Sequence, residues 1–278
     1  MLIDTHAHLN FSAFNKDRDK VIKNCLDNNV WVVNVGTNLK TSKEVVELAK
    51  KYEKGIYAAI GLHPINLETG LVKIKADVNE RKSIEKDFDY GKYKDLAESK
   101  KVVAIGEIGL DYYWKPKTKK KKELFKEKQR NLFLEQLKLA KELDLPVILH
   151  CRMANHDLFK ILSENSDLRP KKAVAHSFVG TDEDIRKYMD FRYFIGFNGI
   201  IFKNIENIDF KKVIKNTPLD KILIETDCPY LAPPLAKTKR NEPIFVKYIA
   251  SEIAKIKNLS FEQVAETTTK NAKEFFNI

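Results

Sequence analysis

Eight short apolar runs of four to six residues recur along the chain, with longer amphipathic stretches between successive ones. They are Leu2 to Thr5, Val30 to Val35, Ile56 to Ile60, Val102 to Ile105, Val147 to His150, Ala173 to His176, Tyr193 to Phe197 and Ile222 to Glu225. Most are rich in Val and Ile, the composition of buried strands. Helical periodicity fills Lys16 to Asn28, Leu39 to Tyr52, Lys121 to Leu143, His156 to Asn165, Asp182 to Met189 and Ile208 to Asn216, and again Glu242 to Lys257 and Ser260 to Phe276. Strand alternating with helix implies parallel strands, because parallel neighbours need long crossovers. Eight such units predict an α/β fold: a single-domain (β/α)8 TIM barrel over residues 1–278, with its active site at the C-terminal ends of the strands. Two charged stretches interrupt the pattern. Leu71 to Glu98 shows little period before Tyr93 and reads as a surface insertion with broken helix; Lys115 to Lys122 reads as loop or frayed helix start.

Composition adjusts this picture only locally. With 278 residues, 43% of them hydrophobic, the chain can bury one large core, and no Pro/Gly/Ser linker divides it. The net charge of +11 is concentrated: Lys115 to Arg130 holds nine basic residues against two acidic ones. Such a cluster favours a polyanionic partner, nucleic acid above all. A solvated loop is the bland alternative. Cys25, Cys151 and Cys228 show no paired spacing, which points to a reducing compartment, and a cytoplasmic protein is expected. No apolar run approaches the length of a membrane helix, and a cleavable leader is not expected where strand-like sequence begins at Leu2.

The chemistry lies at the strand ends. His6, His8, His150 and His176 follow or close apolar runs, and Glu107 and Asp227 follow two more. Nitrogen and oxygen donors delivered from several strand ends are what a divalent cation needs. His6 and His8 are two apart and leave an extended backbone on one face. Glu107 stands across the mouth from them, where a carboxylate can bridge two cations. Asp227, beyond the eighth run, returns beside the first, able to ligate an ion and to take the proton of a water that the cation makes acidic. Glu225 sits deeper on the same face and is expected to hold a ligand imidazole. His63 and Arg152 are candidate contacts to an anionic substrate, and so is Asp111. Tyr113, with its aromatic neighbours, either stacks on bases or packs as a lid. Lys119 and Lys120 bring charge to the same face, against the dipole of the helix they start. Cys151 and Cys228 read as small packing residues, and His156 receives no role.

With these residues in place, the chain resembles the TatD family of metal-dependent deoxyribonucleases, within the amidohydrolase-like barrels. The likeness spans almost the whole sequence and rests on Asp-Thr-His-Ala-His (4 to 8), Gly-Leu-His-Pro (61 to 64), Ala-Ile-Gly-Glu-Ile-Gly-Leu-Asp-Tyr (104 to 112), Leu-His-Cys-Arg (149 to 152), Ala-His-Ser-Phe (175 to 178) and Ile-Glu-Thr-Asp-Cys-Pro-Tyr-Leu (224 to 231). Asn241-Glu242-Pro243, and Thr267 and Thr268 with Asn271, also fit. The resemblance implies two divalent ions (Mg, Mn or Zn), one held by His6, His8, Glu107 and Asp227 and the other by Glu107, His150 and His176. Some members lack the first histidine pair, which this chain keeps. Ser177 stands where many relatives have cysteine, and the Leu71 to Glu98 and Lys117 to Lys126 stretches are longer than usual, so substrate preference carries over less directly.

The activity implied is hydrolysis of phosphodiester bonds in DNA, from the 3′ end of single strands, by a protein expected to be a monomer. Asp227 and Glu107 are the residues expected to serve the reaction. Two other readings stay open: a metal-dependent hydrolase of a small ester, lactone or amide, and a non-catalytic nucleic-acid-binding barrel. Neutralising the lysine loop separates the first from a nuclease; metal analysis separates the second.

Overall fold

Each of the eight apolar runs forms a strand, and the strands pair in sequence order, all parallel, as β1 to β8. The computed structural model describes residues 1–72 and 84–278. Chain order is β1 (Leu2–Ala7), α1 (Arg18–Asp27), β2 (Val30–Val35), α2 (Leu39–Lys50), β3 (Ile56–Ile60), α3 (Tyr90–Ala97), β4 (Val102–Asp111), α4 (Lys119–Glu142), β5 (Val147–Arg152), α5 (Asn155–Glu164), β6 (Ala173–Ala175), α6 (Asp182–Asp190), β7 (Phe194–Phe197), α7 (Phe210–Asn216), β8 (Ile222–Ile224), α8 (Val246–Lys257) and α9 (Phe261–Phe276). Much of the charged stretch from Leu71 to Glu98 lies outside the described residues; its end is α3.

β8 returns beside β1 and the ring is laced there by specific bonds. Thr5 Oγ1 donates to the Ile224 carbonyl at 3.1 Å, Asp227 N to the His6 carbonyl at 2.8 Å and His8 N to the Cys228 carbonyl at 2.9 Å. Asp4, fully buried, adds a carboxylate to the seam: Thr226 donates to it from N at 2.8 Å and from Oγ1 at 2.6 Å, and His6 N donates at 3.3 Å.

Apolar packing fills one mouth of the barrel and leaves the other to polar groups. Ile3, Val33, Ala59, Val103, Ile148, Val174 and Leu223, from seven strands, meet in one cluster with Phe275 and Phe276 of α9. Only the barrel interior brings so many strands to one place. Phe275 packs edge-on against Phe194, the first residue of β7, at 5.3 Å, so α9 stoppers the N-terminal mouth. A larger apolar cluster lies between strands and helices.

Of the two readings of the lysine run, α4 takes the helix start. It is helical from Lys119, two residues before the periodicity begins, with Thr118 Oγ1 accepting from Lys121 N at 3.4 Å as its cap, so Lys119 to Lys122 form the first turn. Four cations there oppose the helix dipole. Replacing one by an acid, Lys120→Glu, is expected to raise Tm by roughly 2 °C in a thermal melt.

On the buried face of α4 two glutamines reach the backbone of the barrel loops. Gln136 accepts from Leu62 N at 2.7 Å and donates to Leu62 O at 3.0 Å; Gln129 does the same to Asp111, at 2.8 and 3.0 Å. These two-point clamps fix the chain beside His63 and at Asp111, and so carry the order of the helix layer into the polar mouth. Among the described residues, no helix is long and apolar enough to cross a membrane.

Candidate metal centre

At the C-terminal mouth β1, β4, β5, β6 and β8 deliver imidazoles and carboxylates to one small volume. His6 is in β1, with His8 one residue past its end; Glu107 lies inside β4, which runs on to Asp111 instead of ending at Ile105; His150 is in β5; His176 and Asp227 follow β6 and β8. Glu107 is the hub. Its two oxygens lie 3.4 Å from His6 Nε2, 3.3 Å from His63 Nε2, 2.5 Å from His150 Nδ1 and 3.8 Å from His176 Nε2. Asp227 Oδ1 is 3.5 Å from His8 Nε2 and 3.9 Å from His176 Nε2. Its backbone is left-handed (φ 58°), an unfavourable setting for a non-glycine residue that the seam bond from Asp227 N to His6 O stabilises.

The second nitrogen of each ring determines what the first can do. His8 Nδ1 lies 2.8 Å from the Val35 carbonyl, which accepts only, so Nδ1 carries the hydrogen and Nε2 offers a bare lone pair. His176 Nδ1 is 2.9 Å from Glu225 Oε1 and its Nε2 is likewise turned to the centre. Glu225 is held in turn by donation from Ser177 N at 2.7 Å and Asn198 Nδ2 at 3.3 Å. His63 is set the other way: its Nδ1 accepts from Ile65 N at 3.1 Å, so in the neutral ring Nε2 carries the hydrogen and points it at Glu107. That is the arrangement of a donor rather than of a metal ligand. His150 lies between two carboxylates, Glu107 and, at 3.0 Å from Nε2, the buried Asp111. Asp111 thereby orients His150, where the sequence suggested a contact to substrate.

Electrostatics follow this packing. Burial and the neighbouring His176 push His6 down to about 4, so this ring is neutral at pH 7. Burial opposes charge on His150 and His176 too, but Glu107 with Asp111 lifts the first to about 9, and Glu225 with Glu107 the second to about 10. Glu107 stays well below the usual carboxylate range: burial would raise it, and His63, His176 and His150 more than reverse that.

Three sets of donor atoms lie within 4.8 Å of one another: His6, His176 and Asp227; His6, His8 and Glu107; His63, Glu107 and His150. Bare imidazole nitrogens beside buried carboxylates fit a divalent cation. Since a ligand imidazole must be neutral, a cation entering at pH 7 displaces the protons of His150 and His176. Affinity is therefore expected to rise with pH up to about 10, the level of His176. Calorimetry in buffers of different ionisation enthalpy should read roughly two protons released per chain at pH 7. No proton release would contradict the assignment.

The centre forms the floor of a cleft of about 760 Å³. Val179, Ile200, Ile205 and Leu231 give it an apolar lining, to which Arg152 and Trp114 add a guanidinium and an indole. The Arg152 guanidinium lies 3.8 Å from the ring centre of the exposed Tyr113. Tyr113, Lys119 and Lys120 do not line the cleft; the two lysines are exposed on the first turn of α4. Asp4, Gln129, Gln136 and Asn198 were not singled out from sequence. A carboxylate inside an apolar run, and two glutamines seven apart on a buried helix face, were the available signals.

Comparison with known proteins follows the same lines. The model of the family described as TatD related DNase matches residues 3–277. The Bacillus subtilis (strain 168) protein named as the uncharacterized metal-dependent hydrolase YabD is 40% identical, with both chains covered in full. The 3′-5′ ssDNA/RNA exonuclease TatD of Escherichia coli (strain K12) is 31% identical over all of this chain and 99% of its own. The crystal structure of the E. coli K12 TatD homologue YJJV superposes with a TM-score of 0.80 at 29% identity, covering 100% of this chain and 98% of the other. With eight parallel strands in ring order and a likeness that runs from end to end, this chain belongs to the TatD-related DNase family.

Proposed function

We propose that the protein is a divalent-metal-dependent hydrolase of phosphodiester bonds that removes nucleotides from the 3′ end of single-stranded DNA. The observation that carries this reading is the convergence of His6, His8, Glu107, His150, His176 and Asp227 at one mouth of the barrel, with His8 oriented by Val35 and His176 by Glu225. His6, His8, Glu107 and Asp227 would hold one ion, and Glu107, His150 and His176 a second, with Mg, Mn or Zn as the candidate metals. When bound, the cations supply Lewis-acid neutralisation of phosphate charge and lower the pKa of a coordinated water.

The chain's own groups complete the chemistry. Arg152 grips non-bridging phosphate oxygens with its planar fork, braced on Tyr113. Asp227 Oδ1 accepts the proton of the water that attacks phosphorus in line. His63 points its Nε2–H at Glu107 and would steady that carboxylate, and Glu225 keeps His176 aimed at the centre. The apolar lining at Ile200, Ile205 and Leu231 accepts the flat face of a base without reading its edge. The reading extends to a monomer acting as a single unit over residues 1–278. The three free cysteines support a reducing, cytoplasmic setting.

The test is digestion of end-labelled single- and double-stranded DNA with Mg2+, Mn2+ or Zn2+. A ladder shortening from the 3′ end of the single strand is expected. Intact DNA under every metal, with a small ester or lactone turned over instead, would overturn the nuclease reading and favour the alternative that the apolar lining also fits.

A further inference from the structure

Three lysines of the Lys115 to Arg130 cluster line a groove next to the cleft that the reaction proposed above leaves unused. Its walls are Leu71, Val72, Trp114, Lys115, Pro116, Lys117, Thr118 and Lys121, around a volume of about 470 Å³. Trp114 lines both the groove and the cleft above the candidate metal centre, so the two adjoin across one indole ring. Tyr113 meets that indole edge-on at 5.1 Å and carries Arg152 on its own face at 3.8 Å. A guanidinium, a phenol, an indole and then lysines thus follow one another outward from the reaction centre.

Among the described residues, Lys115, Lys117 and Lys119 to Lys122 make no ion pair with a carboxylate. The next lysine along α4, Lys126, is paired with Asp157 at 3.0 Å, and Lys94 with Glu142 at 2.5 Å. Lys119 to Lys122 form the first turn of a 24-residue helix whose dipole has the same sign, and Lys115 and Lys117 lie in the chain just before it. Charge is therefore concentrated against both like neighbours and backbone, and an anion in the groove would relieve that repulsion.

We propose that this groove is a second binding site, in which Lys115, Lys117 and Lys121 hold backbone phosphates of the strand beyond the nucleotide being cleaved while Trp114 stacks on the base between the two sites. This inference rests on the nuclease reading and gives it a substrate length: the enzyme grips strands of several nucleotides and holds a dinucleotide by the cleft alone. Stacking and phosphate contact read no base edge, so the grip is independent of sequence.

The experiment is equilibrium binding of fluorescent dT2 and dT12 to the full chain in EDTA, where no strand is cut. Wild type is expected to bind dT12 at least tenfold more tightly than dT2. Replacing Lys115, Lys117 and Lys121 together by Ala should weaken dT12 binding by roughly tenfold or more and lower the slope of log affinity against log salt by about 2, at about 0.7 per phosphate contact. Trp114→Ala should cost roughly tenfold with the slope unchanged, because stacking carries no charge. A control with the same loss of charge, Lys23→Ala with Lys50→Ala and Lys171→Ala, should bind as wild type. Equal dT12 affinity and slope in the groove variant and wild type, or an equal loss in the control, would overturn the proposal. Digestion in Mn2+ keeps the two readings apart: wild type that binds through the groove but cuts nothing sinks the nuclease reading alone.

Discussion

Glu107→Gln is expected to lower hydrolysis of single-stranded DNA at least a thousandfold, equivalent to about 4 kcal/mol of lost transition-state stabilisation. Glu107 is the carboxylate that four imidazoles of the centre share. Its two oxygens face His6, His63, His150 and His176, and it is buried at the floor of the cleft. Glutamine keeps the shape but brings an NH2 donor into a ring of donors and removes the negative charge that a pair of cations would share. His150 and His176 then lose part of what raises them to about 9 and 10, so their protonation falls along with metal affinity. The change should therefore appear in metal titrations as well as in turnover. A variant that kept a tenth of wild-type activity would show that Glu107 is a bystander.

The second large effect is on stability and lies at the seam. Asp4→Ala is expected to destabilise the fold by about 3 to 5 kcal/mol, since it strands the Thr226 N–H, the Thr226 hydroxyl and the His6 N–H in a site with no solvent access. Against a total of about 5 to 15 kcal/mol, such a loss leaves the barrel marginal. Asp4→Asn retains an oxygen for the two backbone donors and should lose less than half as much. The comparison is read from urea midpoints at constant slope. Should Asp4→Ala cost under about 1 kcal/mol, the backbone bonds between β1 and the residues after β8 would suffice to close the ring.

Where strands lie was legible because burial on both faces leaves near-continuous apolar runs, and the errors come where that rule is broken. β4 was read as ending at Ile105, since Gly106, Glu107 and Gly109 interrupt the run. Pairing with β5 carries it to Asp111, through Ile108 with Leu149 and Asp111 with Arg152. Loop and helix start both stayed open for the lysine run because four lysines argue against a first turn, and local preference yields there to the Thr118 cap and to the buried Phe125 and Phe133 downstream. The donor set was legible for a topological reason: a barrel brings strand ends together, so histidines and carboxylates at those ends become neighbours. What residue types cannot show is which ring nitrogen faces inward. His8 and His63 look alike in sequence, yet a carbonyl from Val35 and an N–H from Ile65 set them to opposite tautomers. Asp111, near Glu107 in sequence, gave no hint that β4 and β5 would place it against His150.

The central claim is that these six side chains hold cations, and metal content measures it without any substrate. Protein loaded with Mn2+ or Zn2+, dialysed and analysed by plasma mass spectrometry, is expected to carry two ions per chain, falling to one or none in Glu107→Gln. Wild type that emerges from dialysis free of metal, or a Glu107→Gln protein that keeps both ions, would contradict it.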